Sequence, residues 1–136
     1  MVACRSPNFK NVIGSSYIKN MIIISKYLVP KGYLGFVCYP FVFLKSKELK
    51  ADSVLLNHEN IHLRQQIEML LIFFYLLYIT EFLIRFIQYK KWHIAYRNIS
   101  FEREAYANET HLDYLKQRKF WNFLKYLRSN EFQPRA

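Results

Sequence analysis

The stretch LLNHENIHLRQQIEML, residues 55–70, decides how the rest of the chain is read. It holds no Gly or Pro, and Asp52 or Ser53 just before it can accept hydrogen bonds from the free N–H groups of a helix start. On such a helix His58 and His62 stand one above the other on one face, with Glu59 beside that face. Two imidazoles placed in this way can share one metal ion, and zinc suits that ligand chemistry. Glu59 is then positioned to take a proton from water on the metal. The flanks Val54, Leu55, Leu56 and Leu63 are apolar, and the middle residues Asn60 and Ile61 are uncharged. That context separates the pattern from a chance match on a charged surface helix.

Before the motif, residues 21–44 read as strands. MIIISKYLV (residues 21–29) is followed by the turn PKG and then by YLGFVCYPFVFL (residues 33–44), rich in aromatic and β-branched side chains. Two or three strands in a small antiparallel sheet are expected, with Pro40 on an edge or at a bulge because it cannot donate to a ladder. After the motif there is no Gly or Pro up to residue 89, and MLLIFFYLLYIT (residues 69–80) is apolar on every face. This segment requires burial in protein or in lipid. Glu81 and Arg85 are four apart and can pair on the helix, and Lys90, Lys91 and Trp92 resemble an interfacial anchor. HIAYRN (residues 93–98) reads as a connection, with Ser100 as cap of a further helix, FEREAYANETHLDYL. The tail from residue 116 mixes Lys and Arg with Phe120, Trp121, Phe123, Leu124 and Leu127, the composition of an amphipathic helix on a membrane or on the protein itself.

At the motif the chain resembles the gluzincin group of zinc metallopeptidases, in particular its minimal membrane-associated members such as the metallopeptidase domains of β-lactam sensors. The likeness covers the HENIH helix, the helix of FEREAYANE (residues 101–109) and the preceding strand, about half of the chain. Arg64 stands where the group favours an apolar residue, and Asn108 stands where its E-x-x-A-D pattern ends in Asp. The resemblance implies zinc (Zn2+), a peptide substrate, and a third ligand supplied by a glutamate of the later helix. Phe101, Glu104, Ala105, Asn108, Leu112 and Leu115 recur at steps of three and four, which favours Glu104 on the inward stripe. Glu102, which falls with Glu109 and Asp113 on the polar side, is the alternative, since Glu102 and Ala105 also fit E-x-x-A. Asn108 could steady a ligand histidine. Tyr96, Tyr106, His93 and His111 are candidates for stabilising the oxyanion.

At 136 residues, with 52% apolar and 18% aromatic side chains, the chain suits one ordered domain with a sizeable core. A net charge of +10 favours anionic partners. Lipid headgroups fit better than nucleic acid, for which no recognition module accompanies the charge. Cys4 and Cys38 form no metal-ligand spacing and no disulfide framework, so a reducing compartment is expected, and the N-terminus has no secretory signal pattern.

Residues 69–87 would span about 28 Å as a helix, roughly the hydrocarbon thickness of a bilayer. A simple span would carry the later glutamate to the side opposite His62, and the polar return could not cross lipid. The helix is therefore expected to break near residues 66–68, to pack in a protein or homodimer core, or to enter the bilayer from one face. Together these features predict a single α+β domain over residues 1–136: strands in 21–44, the motif helix and apolar segment in 53–89, and C-terminal helices in 100–129. It would be a zinc metallopeptidase with His58, His62 and Glu104 as ligands and Glu59 as general base, on the cytoplasmic side of a membrane. The alternatives are a non-catalytic membrane-surface protein with structural or incidental metal binding and, for location, a single-pass or a cytoplasmic protein.

Overall fold

The computed structural model describes residues 21–128; the expectations for Cys4 and for the N-terminus fall outside them. Strands β1 (Met21–Ile24), β2 (Gly35–Cys38) and β3 (Phe41–Leu44) form one sheet in the order β1-β3-β2. β2 and β3 are an antiparallel hairpin with Gly35 opposite Leu44 and Cys38 opposite Phe41. β1 runs parallel to β3, with Met21 opposite Phe41, so the sheet is mixed and not wholly antiparallel as expected. The cause is two reversals. The link over residues 25–34, with Gly32 at φ 89°, turns the chain once, and the Tyr39–Pro40 turn returns it to the direction of β1. Pro40 thus sits in the turn, where its missing N–H costs no ladder bond.

Alternation along the hairpin sends Val37, Val42 and Leu44 into a core with Leu55 and Leu63 of the motif helix. On the opposite face Phe36 and Phe43 stack with ring centroids 4.6 Å apart. Helix α1 (Ser53–Glu68) starts where expected: the Asp52 carboxylate accepts from the N–H groups of Val54 and Leu55 at 3.1 and 3.0 Å.

The long apolar helix is broken. α1 ends at Glu68, Leu70 and Leu71 take positive φ of 51° and 35°, and α2 (Ile72–Tyr89) begins anew. The break lies just beyond the expected residues 66–68. Lys90, in left-handed conformation at φ 55°, ends α2, and the expected connection is instead a short helix, α3 (Trp92–Arg97), packed on α2. The chain thereby returns, and α4 (Ser100–Asn108) lies against α1. Ser100 is the first residue of α4 and does not cap it. Glu81 of α2 does so, accepting from the Ser100 N–H at 2.9 Å and from its hydroxyl at 2.6 Å. The expected helix over 101–115 is interrupted, and α5 (Tyr114–Gln117) and α6 (Leu124–Leu127) follow as single turns. The fold is a small sheet packed on a motif helix and a third-ligand helix, a minimal zincin-like arrangement.

Of α2 only Phe74 is buried, while Ile72 and Ile87 are 77% and 74% exposed. Length and composition would let this helix cross a membrane, and the same properties suit a core helix or a signal segment. Within the single chain it is not a core helix.

Candidate metal centre

α1 places His58, Glu59 and His62 in the interior, none more than 2% exposed. Each histidine is held by its Nδ1. His58 Nδ1 lies 3.0 Å from Glu109 Oε2, and His62 Nδ1 lies 2.8 Å from Gln65 Oε1. A carboxylate oxygen and an amide oxygen only accept, so both Nδ1 atoms carry hydrogen. The two Nε2 atoms then face each other at 3.1 Å. Glu102 of α4 closes the group, 3.5 Å from His58 Nε2 and 3.3 Å from His62 Nε2.

These three ligand atoms lie within 4.8 Å of one another, a His/His/Glu set with the spacing of a gluzincin-type zinc site. Two imidazole nitrogens this close need a cation between them, either a proton or a metal ion. Consistent with that need, the His58 pKa is raised: burial works against its charge, but hydrogen bonds with Glu102 and Glu109 outweigh burial. The donor set and its tautomers fit zinc.

The preferred third ligand is corrected by this geometry. Glu104 is as buried as expected but is not part of the cluster with the histidines. Its carboxylate accepts from Arg118 Nε at 2.6 Å, from the Tyr114 hydroxyl at 2.6 Å and from Gln65 Nε2 at 2.9 Å. α4 is buried on two sides, so an inward stripe does not single out the side that meets α1. Glu102, the alternative, takes the ligand position. The hydroxyls of Tyr78 and Tyr96 donate to its two oxygens at 2.6 and 2.7 Å and fix the plane of the carboxylate. Burial, together with the Glu102 charge, pushes the Tyr96 pKa well up, so it remains a donor.

Asn108 also differs from expectation. Its amide donates to the Glu104 carbonyl at 2.7 Å and to the Tyr126 hydroxyl at 3.0 Å, while Glu109, the next residue, holds His58. Of the four oxyanion candidates, Tyr96 borders the ligands through Glu102, and the Tyr106 ring meets that of His58 edge-on at 4.6 Å. His93 and His111 are exposed. Gln65, Glu109 and Tyr78 were not singled out from sequence. The first two left a signal: Gln65 lies three residues after His62, and Glu109 lies two turns after Glu102 on the same face.

Glu59 completes the centre. Both of its carboxylate oxygens are buried and have no hydrogen-bond partner among the described residues. An unpaired buried carboxylate is costly, and such groups are found where they have work to do. Strand β2 passes close to it, and a Cβ at Gly35 would come within 3.1 Å of Glu59 Oε1. Beside the ligands lies a pocket of about 60 Å³, lined by Phe36, Val37, His62, Gln66, Phe74, Tyr75, Tyr78 and Glu102. The chain matches no protein-family model, no curated protein and no solved structure.

Proposed function

We propose that the chain is a zinc-dependent metallopeptidase working at a membrane surface. The observation that carries the proposal is the convergence of His58, His62 and Glu102 beside the unpaired carboxylate of Glu59. These three side chains would hold zinc, which would supply Lewis-acid chemistry towards water and a carbonyl oxygen. Glu59 takes the proton of the attacking water and delivers it to the leaving amine. Glu109 and Gln65 keep the ligand nitrogens free of hydrogen, and Tyr78 and Tyr96 orient Glu102. An extended peptide segment would pair with the edge of β2 that is not bonded to β3 and that passes Glu59 at Gly35.

The membrane part of the proposal rests on α2 and on charge. The outer face of α2 exposes Phe73, Leu76, Leu83, Ile84 and Ile87, a patch that soluble monomers rarely leave uncovered. Lys90 and Lys91 follow it, and the net charge is +10. An anionic cytoplasmic leaflet matches both features.

The near-complete burial of the ligands favours a second reading, a membrane-surface protein with a structural metal. One substitution separates the two. In purified full-length protein, Glu59→Gln should keep about one zinc per chain. It should lose at least about a hundredfold in cleavage of an unfolded protein substrate such as casein. Wild type that carries zinc but cleaves no better than Glu59→Gln would leave the structural metal as the function.

A further inference from the structure

The pocket beside the proposed centre is too small for a peptide as the chain stands. At about 60 Å³ it has room for a few water molecules, whereas sites for drug-sized ligands span about 300–1,000 Å³. What limits it is specific. In β2 the Leu34 carbonyl accepts from Lys45 N–H at 2.9 Å, and Phe36 pairs with Phe43, so Gly35, Val37 and Tyr39 turn their backbone groups to the open edge. Two of these three are occupied by side chains. Gln66 Nε2 donates to the Val37 carbonyl at 3.0 Å, and the Tyr39 N–H donates to Gln66 Oε1 at 2.8 Å. The Tyr75 hydroxyl donates to the same Val37 carbonyl at 2.9 Å. The Gln66 amide bonds to the edge as the N–H and C=O of one residue in a parallel neighbouring strand do, donating to residue 37 and accepting from residue 39.

We propose that Gln66 and Tyr75 are placeholders on the substrate-binding edge of β2, which an extended peptide displaces to reach Glu59. This rests on the metallopeptidase reading and names its substrate class: segments with free backbone groups along one side, so unfolded or extended chains and not helices. Gln66 closes α1, and Tyr75 lies in the first turn of α2, on either side of the positive-φ residues Leu70 and Leu71. Clearing the edge therefore needs only a rotamer change at Gln66 and a small shift at the start of α2, leaving the ligands in place.

The test uses zinc-loaded full-length protein, wild type, Tyr75→Phe and Gln66→Ala, with two hydroxamates. Acetohydroxamate reaches the metal alone, and tri-leucine hydroxamate also reaches the strand edge. Each substitution should tighten binding of the tri-leucine compound, about three- to tenfold for Tyr75→Phe, which spares one hydrogen bond, and at least as much for Gln66→Ala, which spares two, with acetohydroxamate affinity unchanged. The Tyr39 amide should exchange with solvent faster in Gln66→Ala and be protected again by bound tri-leucine hydroxamate. Equal tri-leucine affinity in all three proteins, or no restored protection, overturns the placeholder role while acetohydroxamate binding upholds the metal. If acetohydroxamate binds none of them, the metal centre itself has failed and the placeholder role falls with it.

Discussion

At the residue scale, Glu102 and Glu104 are two positions apart, both fully buried, and point to different partners. Their substitutions should therefore fail in different ways. Glu102→Ala should abolish stoichiometric zinc, measured by mass spectrometry on purified protein, as should His58→Ala and His62→Ala. Glu104→Ala should hold metal better but leave Arg118, only 1% exposed, with Glu68 in place of two carboxylate partners. Breaking a buried pair from one side costs about 3–5 kcal/mol when no other counter-charge remains; with Glu68 still beside Arg118 the cost should fall below that range and the melting temperature should drop by on the order of 10 °C. The reverse ranking, with zinc lost only in Glu104→Ala, would refute Glu102 as ligand. His58 adds a pH dependence. Its folded-state pKa is raised above 6.5, so its charged form stabilises the zinc-free protein fully below that value, and the contribution is lost as pH rises through the folded pKa. Zinc competes for the same nitrogen, so its affinity should rise across that window. Calorimetry in buffers of different ionisation heat should show protons released on zinc binding, and in His58→Gln the pH slope of zinc-free stability should flatten.

Among the elements, α2 carries a double burden. Its inner side supplies Phe74 to the core, Tyr78 to Glu102 and Glu81 to the start of α4, while its outer side is apolar and exposed. A helix tied into the site by these contacts and apolar outside suits shallow insertion from one face better than a span. Vesicles containing phosphatidylserine should bind the protein, with binding weakened by salt and by a Leu76→Asp, Leu83→Asp double substitution on the exposed face. Zinc content should stay as in wild type. A soluble dimer that the double substitution dissociates, with no vesicle binding, would assign the face to a second copy of the chain.

For the whole molecule, the break at Leu70–Leu71 and the return through α3 bring both ends of the apolar segment to one candidate metal centre. Lys50, before α1, and Thr110, after α4, are both exposed and must face the same compartment. Single cysteines at these positions, in a chain lacking Cys4 and Cys38, should react alike with an impermeant thiol reagent, only after cell lysis if the face is cytoplasmic. Labelling of one in intact cells and of the other only in lysates would demonstrate a span and remove the shared centre.

The HENIH spacing, the Asp52 cap, the strand residues around the hairpin and the unbroken apolar run are local patterns, and each was legible in the sequence because it depends on neighbours within a turn or a strand. So was the conflict between a simple span and a shared site, since lipid forbids the polar return, although a break in the helix was only one of the three ways out. Periodicity placed Glu104 in the interior correctly, but it reports only which side of a helix is buried, and α4 is buried on more than one. The partners that tell these sides apart, Arg118 for Glu104 and the two histidines for Glu102, arrive from elements distant in the chain. Glu109 looked like a solvent-facing acid for the same reason, although it meets His58 across 51 residues. The direction of β1 likewise depends on the number of chain reversals before β3, which strand propensity does not encode. Sequence alone determined the chemistry on offer and the helix that presents it. Tertiary packing decided which glutamate faces the histidines, because two buried carboxylates of equal propensity are distinguished only by the charges set against them.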